Sequence, residues 1–76
     1  MPHIEIKCFP RKVTDQQRQD IAAEVADVLK KHFGSKDTSL SVDLIMVEPE
    51  RWKSEVWDRQ IAPRMENLIK KPGYQL

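Results

Sequence analysis

The residue best placed to do chemistry is Pro2, which follows Met1. A small second residue such as proline permits removal of Met1, and Pro2 would then carry a free secondary amine. An α-amino group has a pKa of about 8, and burial or a neighbouring cation lowers that pKa because each disfavours the charged form. A neutral amine can take a proton from beside a carbonyl group and return it elsewhere, which is keto–enol tautomerisation. A Met-Pro start is common, however, and taken alone it indicates no function.

Two cations, Arg11 and Lys12, are the candidates to hold a substrate carboxylate and to stabilise an enolate. They follow the first predicted strand, so within one chain they lie at its far end from Pro2. Across a subunit contact they could instead face Pro2 of another copy. For either cation singly, a solvated loop residue is an equally good interpretation.

The remaining reactive side chains favour no cofactor and no metal. His3 and His32 have no spaced carboxylate or cysteine partner, as a metal site would need. We interpret both as surface or interface imidazoles, with His3 beside Pro2 at the edge of any pocket there. Cys8 falls on the apolar face of a predicted strand and is interpreted as a small buried residue rather than a catalytic thiolate.

Length and charge limit the classes of protein. The 76 residues allow a single domain, 1–76, and a chain this short buries only about 63% of its surface when it folds alone, which favours oligomerisation. With 13 Lys and Arg against 12 Asp and Glu, the net charge of +1 argues against a nucleic-acid partner. No apolar run approaches membrane-spanning length, so no membrane partner is expected. A single cysteine favours a reducing compartment, and we expect the cytoplasm.

Hydrophobic periodicity predicts a strand, a helix and a second strand. Apolar and polar residues alternate over 3–9 and again over 39–47. Between them, Thr14 and Asp15 supply an N-cap for a helix that runs to about His32, and Gly34 supplies its C-cap. Two strands joined by one helix form a parallel crossover.

A second helix is predicted from about Ser54 to Lys71, where Pro72 and Gly73 end it, with a kink or restart at Pro63. The fold class is therefore α/β (α+β), in the order β-α-β-α. A two-stranded parallel sheet is too small to stand alone and keeps unpaired edges, so we expect a second copy of the chain to complete it.

Several segments resemble the 4-oxalocrotonate tautomerase family. They are residues 1–6 (MPHIEI), 9–12 (FPRK) and 14–17 (TDQQ), together with the β-α-β order. The longer tail, with 48–52 (EPERW) and 68–74 (LIKKPGY), is similar to a dimeric branch of that family from enteric bacteria that has phenylpyruvate tautomerase activity. The resemblance covers nearly the whole chain.

The resemblance implies a tautomerase, an isomerase, that uses Pro2 as its catalytic base and acid on a small enol or keto acid, and that forms a homodimer. It assigns substrate binding to Arg11 or Lys12, because the loop differs in length by one residue, and a pocket wall to Trp52. As a core or interface aromatic, Trp52 needs no such function. A second family arginine falls on Ser41 here, which favours a monocarboxylate such as phenylpyruvate over a dicarboxylate.

Two alternatives remain at this level. Relatives in the superfamily hydrate haloacrylates or decarboxylate β-keto acids with a protonated proline, and such chemistry would need a water-activating carboxylate, for which Asp43, Glu48 and Glu50 are available. The other alternative is a non-catalytic module whose sheet edge binds a partner protein.

Overall fold

The computed structural model describes all 76 residues, which divide into two compact units, Met1–Met46 and Val47–Leu76. The first unit contains strand β1 (His3–Cys8), helix α1 (Asp15–Phe33), a 3-10 turn (Asp37–Ser39) and strand β2 (Ser41–Met46). The second contains an α-helical turn, α2 (Pro49–Trp52), a π-helical segment (Lys53–Ile61) and a 3-10 segment (Ala62–Asn67).

The sheet of the first unit has two strands, β1 and β2, which pair in parallel. The register runs from His3 opposite Ser41 to Cys8 opposite Met46. The predicted strand, helix and parallel strand are confirmed. β2 begins two residues later than predicted because Asp37–Ser39 forms a turn in which the Ser39 hydroxyl donates to the Lys36 carbonyl.

Both predicted ends of α1 are confirmed. The Thr14 side chain accepts from the Gln17 amide and the Gln17 side chain accepts from the Thr14 amide, so two amides that lack helical partners are satisfied. At the other end Gly34 has a φ of 64°, in the left-handed region, and donates to the Lys30 carbonyl. The Lys30 ammonium lies 2.8 Å from Asp37, and the hydrogen bond and charge of that carboxylate raise the lysine's pKa.

The apolar face of α1 is only partly covered. Along the apolar stripe of α1, Ile21, Val25 and Leu29 are half-buried, whereas Val28 is 54% exposed. Phe33, the last residue of the helix, is 69% exposed. Two strands lie only about 4.8 Å apart, while a helix with its side chains is about 10 Å wide, so this sheet cannot cover the whole stripe. Ala26 is the one buried residue of the first unit.

The second helix differs from its prediction at both ends. Helical structure begins at Pro49 rather than Ser54. Proline suits the first turn of a helix because the amide hydrogen that it lacks would have no helical partner there, and because its fixed φ is close to the helical value. The helical structure ends at Asn67 rather than Lys71, since Leu68 is extended. A restart near Pro63 is confirmed: the π-helical segment gives way to the 3-10 segment at Ala62. Trp57, in the π-helical segment, is buried.

None of these helices has the length and apolar character that crossing a membrane requires.

Candidate active site

Pro2 is held at the start of the sheet. It immediately precedes β1, is half-buried, and accepts a hydrogen bond at its carbonyl from the Ser41 amide at 3.3 Å. Met1 is fully exposed. The bond from β2 therefore holds the Pro2 carbonyl, and the residue before Pro2 is accessible to solvent.

His3 and Ser41 meet beside Pro2. They are register partners in the parallel sheet, and the imidazole Nδ1 lies 2.6 Å from the Ser41 hydroxyl oxygen. Ser41 therefore contacts two consecutive residues of the amino-terminal segment, through its amide and through its hydroxyl. Sequence reasoning interpreted His3 as a surface or interface imidazole at the edge of any pocket beside Pro2, and Ser41 only as the replacement of an arginine. Their pairing depends on the strand register, for which no local motif exists.

Arg11 and Lys12 lie at the other end of β1. The strand has six residues, which places the loop roughly 20 Å from Pro2 at about 3.3 Å per residue. The two cations line a depression of about 520 Å³ between the sheet and α1. Apolar side chains and two carboxylates line it as well; the other lining residues are Ile6, Cys8, Val13, Gln17, Asp20, Ile21, Glu24 and Leu44. Within one chain, the candidate base and the candidate clamps are therefore not brought together.

Trp52 belongs to the second unit, where it is the last residue of α2 and half-buried. Its indole Nε1–H donates to the Tyr74 hydroxyl at 3.2 Å. The Tyr74 ring is in turn tilted by 42° against Trp57, with ring centroids 5.4 Å apart. Sequence reasoning missed Tyr74; an aromatic residue directly after Pro72-Gly73 was the available signal. The indole N–H of Trp52 is therefore engaged within the second unit.

The carboxylates of the hydratase alternative are exposed. Asp43 lies opposite Glu5 across the two strands, and Glu5 is paired with Lys7 at 3.3 Å. Glu48 and Glu50 flank the start of α2. No group of three or more side chains is arranged to hold a metal ion.

Comparisons with known proteins agree with one another. A family model described as "Tautomerase enzyme" matches residues 2–55. Proteins named Tautomerase PptA from Enterobacter sp. (strain 638) and from Escherichia coli O157:H7 are each 53% identical over 76 residues, which is 100% of this chain and 100% of each relative. The family match begins at Pro2, and the two relatives extend the similarity through the second unit.

Proposed function

This chain belongs to the tautomerase family and is an isomerase that interconverts keto and enol forms, and we propose that its substrates are phenylpyruvate-like 2-oxo acids with Pro2 as base and acid. The observation that carries the proposal is the placement of Pro2, at the first residue of the family match and hydrogen-bonded to β2 through its carbonyl. Its nitrogen becomes available once the exposed Met1 is removed.

The proposed reaction moves one proton. The Pro2 amine takes the proton of the enol 2-hydroxyl, so an O–H bond breaks and an N–H bond forms. The resulting ammonium then gives a proton to C3 while the C2–O bond becomes a carbonyl. The amine returns to its starting state, and no other reactant is consumed.

The separation of Pro2 from Arg11 and Lys12 supports a second copy as part of the site. β1 pairs only with β2, so its outer edge is open to another strand. If two copies pair antiparallel along this edge, the start of each β1 lies beside the end of the other β1. Pro2 of one copy would then approach Arg11 and Lys12 of the other, and one of these cations would bind the substrate carboxylate. The proposed assembly is a homodimer in which the 1–76 chain is one domain.

The remaining specificity follows from Ser41 and Trp52. With Ser41 at the position of a family arginine, the site lacks a second carboxylate partner, which favours a monocarboxylate. Trp52 is assigned the aromatic wall of the pocket, where its ring suits an aryl group. We propose the cytoplasm as the compartment because the chain has a single cysteine.

The decisive experiment follows the ketonisation of enol-phenylpyruvate by ultraviolet absorbance, with protein whose loss of Met1 has been verified by mass. We expect Pro2→Ala to lower kcat by about 100-fold or more, the scale of general acid–base catalysis. Pro63→Ala, at an exposed proline of the second unit, is the matched control and should retain the wild-type rate. Equal rates for wild type and Pro2→Ala would overturn the proposal.

A further inference from the structure

Ser41 makes hydrogen bonds to both Pro2 and His3. Its amide donates to the Pro2 carbonyl at 3.3 Å, and its hydroxyl lies 2.6 Å from the His3 imidazole. Both contacts occur at the first register pair of the sheet. Residues 2 and 3 are thus held by one side chain and one amide from β2.

One ring nitrogen of His3 makes no hydrogen bond within the chain. Nδ1 is used by Ser41, whereas Nε2 has no hydrogen-bond partner within the chain, and the residue is exposed. Covalent geometry keeps the Pro2 nitrogen within about 5 Å of the His3 Cα. A substrate close enough to exchange a proton with the Pro2 amine is therefore also close to the backbone of His3.

A hydrogen-bond donor at this place would assist the proposed reaction. When the amine takes the enol proton, negative charge develops on the substrate's 2-oxygen, and a positioned donor at that oxygen lowers the barrier. If the Ser41 hydroxyl donates to Nδ1, the neutral imidazole carries its proton on Nε2 and can serve as that donor.

We propose that His3 is a catalytic residue that donates a hydrogen bond from Nε2 to the 2-oxygen of the substrate, and that Ser41 is a positioning residue that orients the imidazole. This role rests on the proposed function. The imidazole keeps its proton throughout, so the balance of the reaction is unchanged. The division of roles is then complete: Pro2 moves the proton, His3 stabilises the 2-oxygen, and Arg11 or Lys12 of the second copy binds the carboxylate.

The test compares kcat and KM for enol-phenylpyruvate in four variants: His3→Ala, His3→Gln, Ser41→Ala and the double variant His3→Ala/Ser41→Ala. His3→Ala should lower kcat by roughly 10-fold to 100-fold, with KM changed by no more than about twofold, because the lost bond forms chiefly in the transition state. His3→Gln, which keeps an N–H donor, should recover part of kcat. Ser41→Ala should have a smaller effect than His3→Ala, and the double variant should be no slower than His3→Ala, since Ser41 acts through His3.

Two controls separate this role from a structural one. His32→Ala removes the other imidazole, in the last turn of α1, and should leave kcat unchanged. Inhibition by 3-phenylpropanoate, a carboxylate without a 2-oxygen, should be equally strong in wild type and His3→Ala. A His3→Ala variant that keeps the wild-type kcat, that binds 3-phenylpropanoate about 10-fold or more weakly than wild type, or whose effect adds fully to that of Ser41→Ala would overturn the proposal.

The rates of Pro2→Ala and His3→Ala distinguish failure of the proposed function from failure of the role proposed for His3. If wild type and Pro2→Ala ketonise the enol equally, the proposed function is wrong, and this role for His3 is overturned with it. If Pro2 is required but His3→Ala is as fast as wild type, the proposed function stands and only the assignment of His3 is overturned.

Discussion

At the scale of single residues, Tyr74 connects the two tryptophans of the second unit. Its hydroxyl accepts from the Trp52 indole and its ring packs against Trp57, one of the few buried side chains. Trp52 is also the residue that we propose as a wall of the substrate pocket. A residue near the end of the chain therefore fixes the orientation of a side chain assigned to the site.

Removing only the hydroxyl group tests this connection. We expect Tyr74→Phe to lower the free energy of unfolding by about 0.5 kcal/mol, because one hydrogen bond at a partly exposed residue is lost while the ring contact is kept. Tyr74→Ala, which also loses the ring contact, should cost about 1 kcal/mol more. Urea unfolding followed by tryptophan fluorescence measures both. Two variants with the stability of wild type would show that the contact contributes nothing.

At the scale of elements, the end of α1 depends on one backbone conformation. Gly34 has a φ of 64°, and a Cβ added there would meet no atom within 4 Å. Substitution by alanine therefore adds backbone strain without a steric clash.

We expect Gly34→Ala to lower the free energy of unfolding by about 1 kcal/mol, which is the cost of the left-handed conformation for a residue with a Cβ. Gly73→Ala is the matched control, since a Cβ there also meets open space and Gly34 is the one glycine with positive φ. It should leave stability unchanged or raise it slightly, because alanine restricts the unfolded chain. Equal stabilities of the two variants would contradict this account.

The first unit could be predicted from sequence because its signals are local. Thr14 and Gly34 are strong cap residues, and apolar and polar residues alternate through β1 and through the first half of β2. The second unit lacks such signals. A proline such as Pro49 is common both in loops and in the first turn of a helix, so its residue type does not decide between them. The hydrogen bonds of a π-helix likewise leave no distinct pattern of residue types.

The candidate site was predictable only in part, for the same reason. Pro2, Arg11 and Lys12 stand out by residue type, so sequence alone nominates them. The contact of His3 with Ser41 joins residues 38 positions apart and depends on the register of the sheet. Tyr74 is 22 positions from Trp52 and follows no periodic pattern.

At the scale of the whole molecule, the first unit leaves apolar surface and strand edges uncovered, as a subunit of an oligomer does. Only Ala26 is buried there, Val28 and Phe33 of α1 are largely exposed, and the sheet has two strands. Apolar helix residues and open strand edges are the surfaces that a homodimer would cover.

We expect sedimentation to give twice the chain mass of 8.9 kDa for the wild type. Val28→Asp should shift the protein toward the monomer and lower tautomerase activity in parallel, because a charge replaces an apolar residue that the assembly would cover and because the proposed site needs two copies. Gln19→Asp places a new charge at an exposed polar residue of the same helix and should change neither property. A wild type that is monomeric and fully active would contradict the proposed dimer.

The hydrogen bond from the Ser41 amide to the Pro2 carbonyl also has a consequence for the order of folding. The helical contacts of α1 join near neighbours in sequence and can form early, whereas this bond closes a loop that contains the entire helix, at a large cost in chain entropy. The end of the sheet that holds the candidate base is therefore assembled when that loop closes. Hydrogen–deuterium exchange at the Ser41 amide would therefore report how often the amino-terminal segment detaches from β2 in the folded chain.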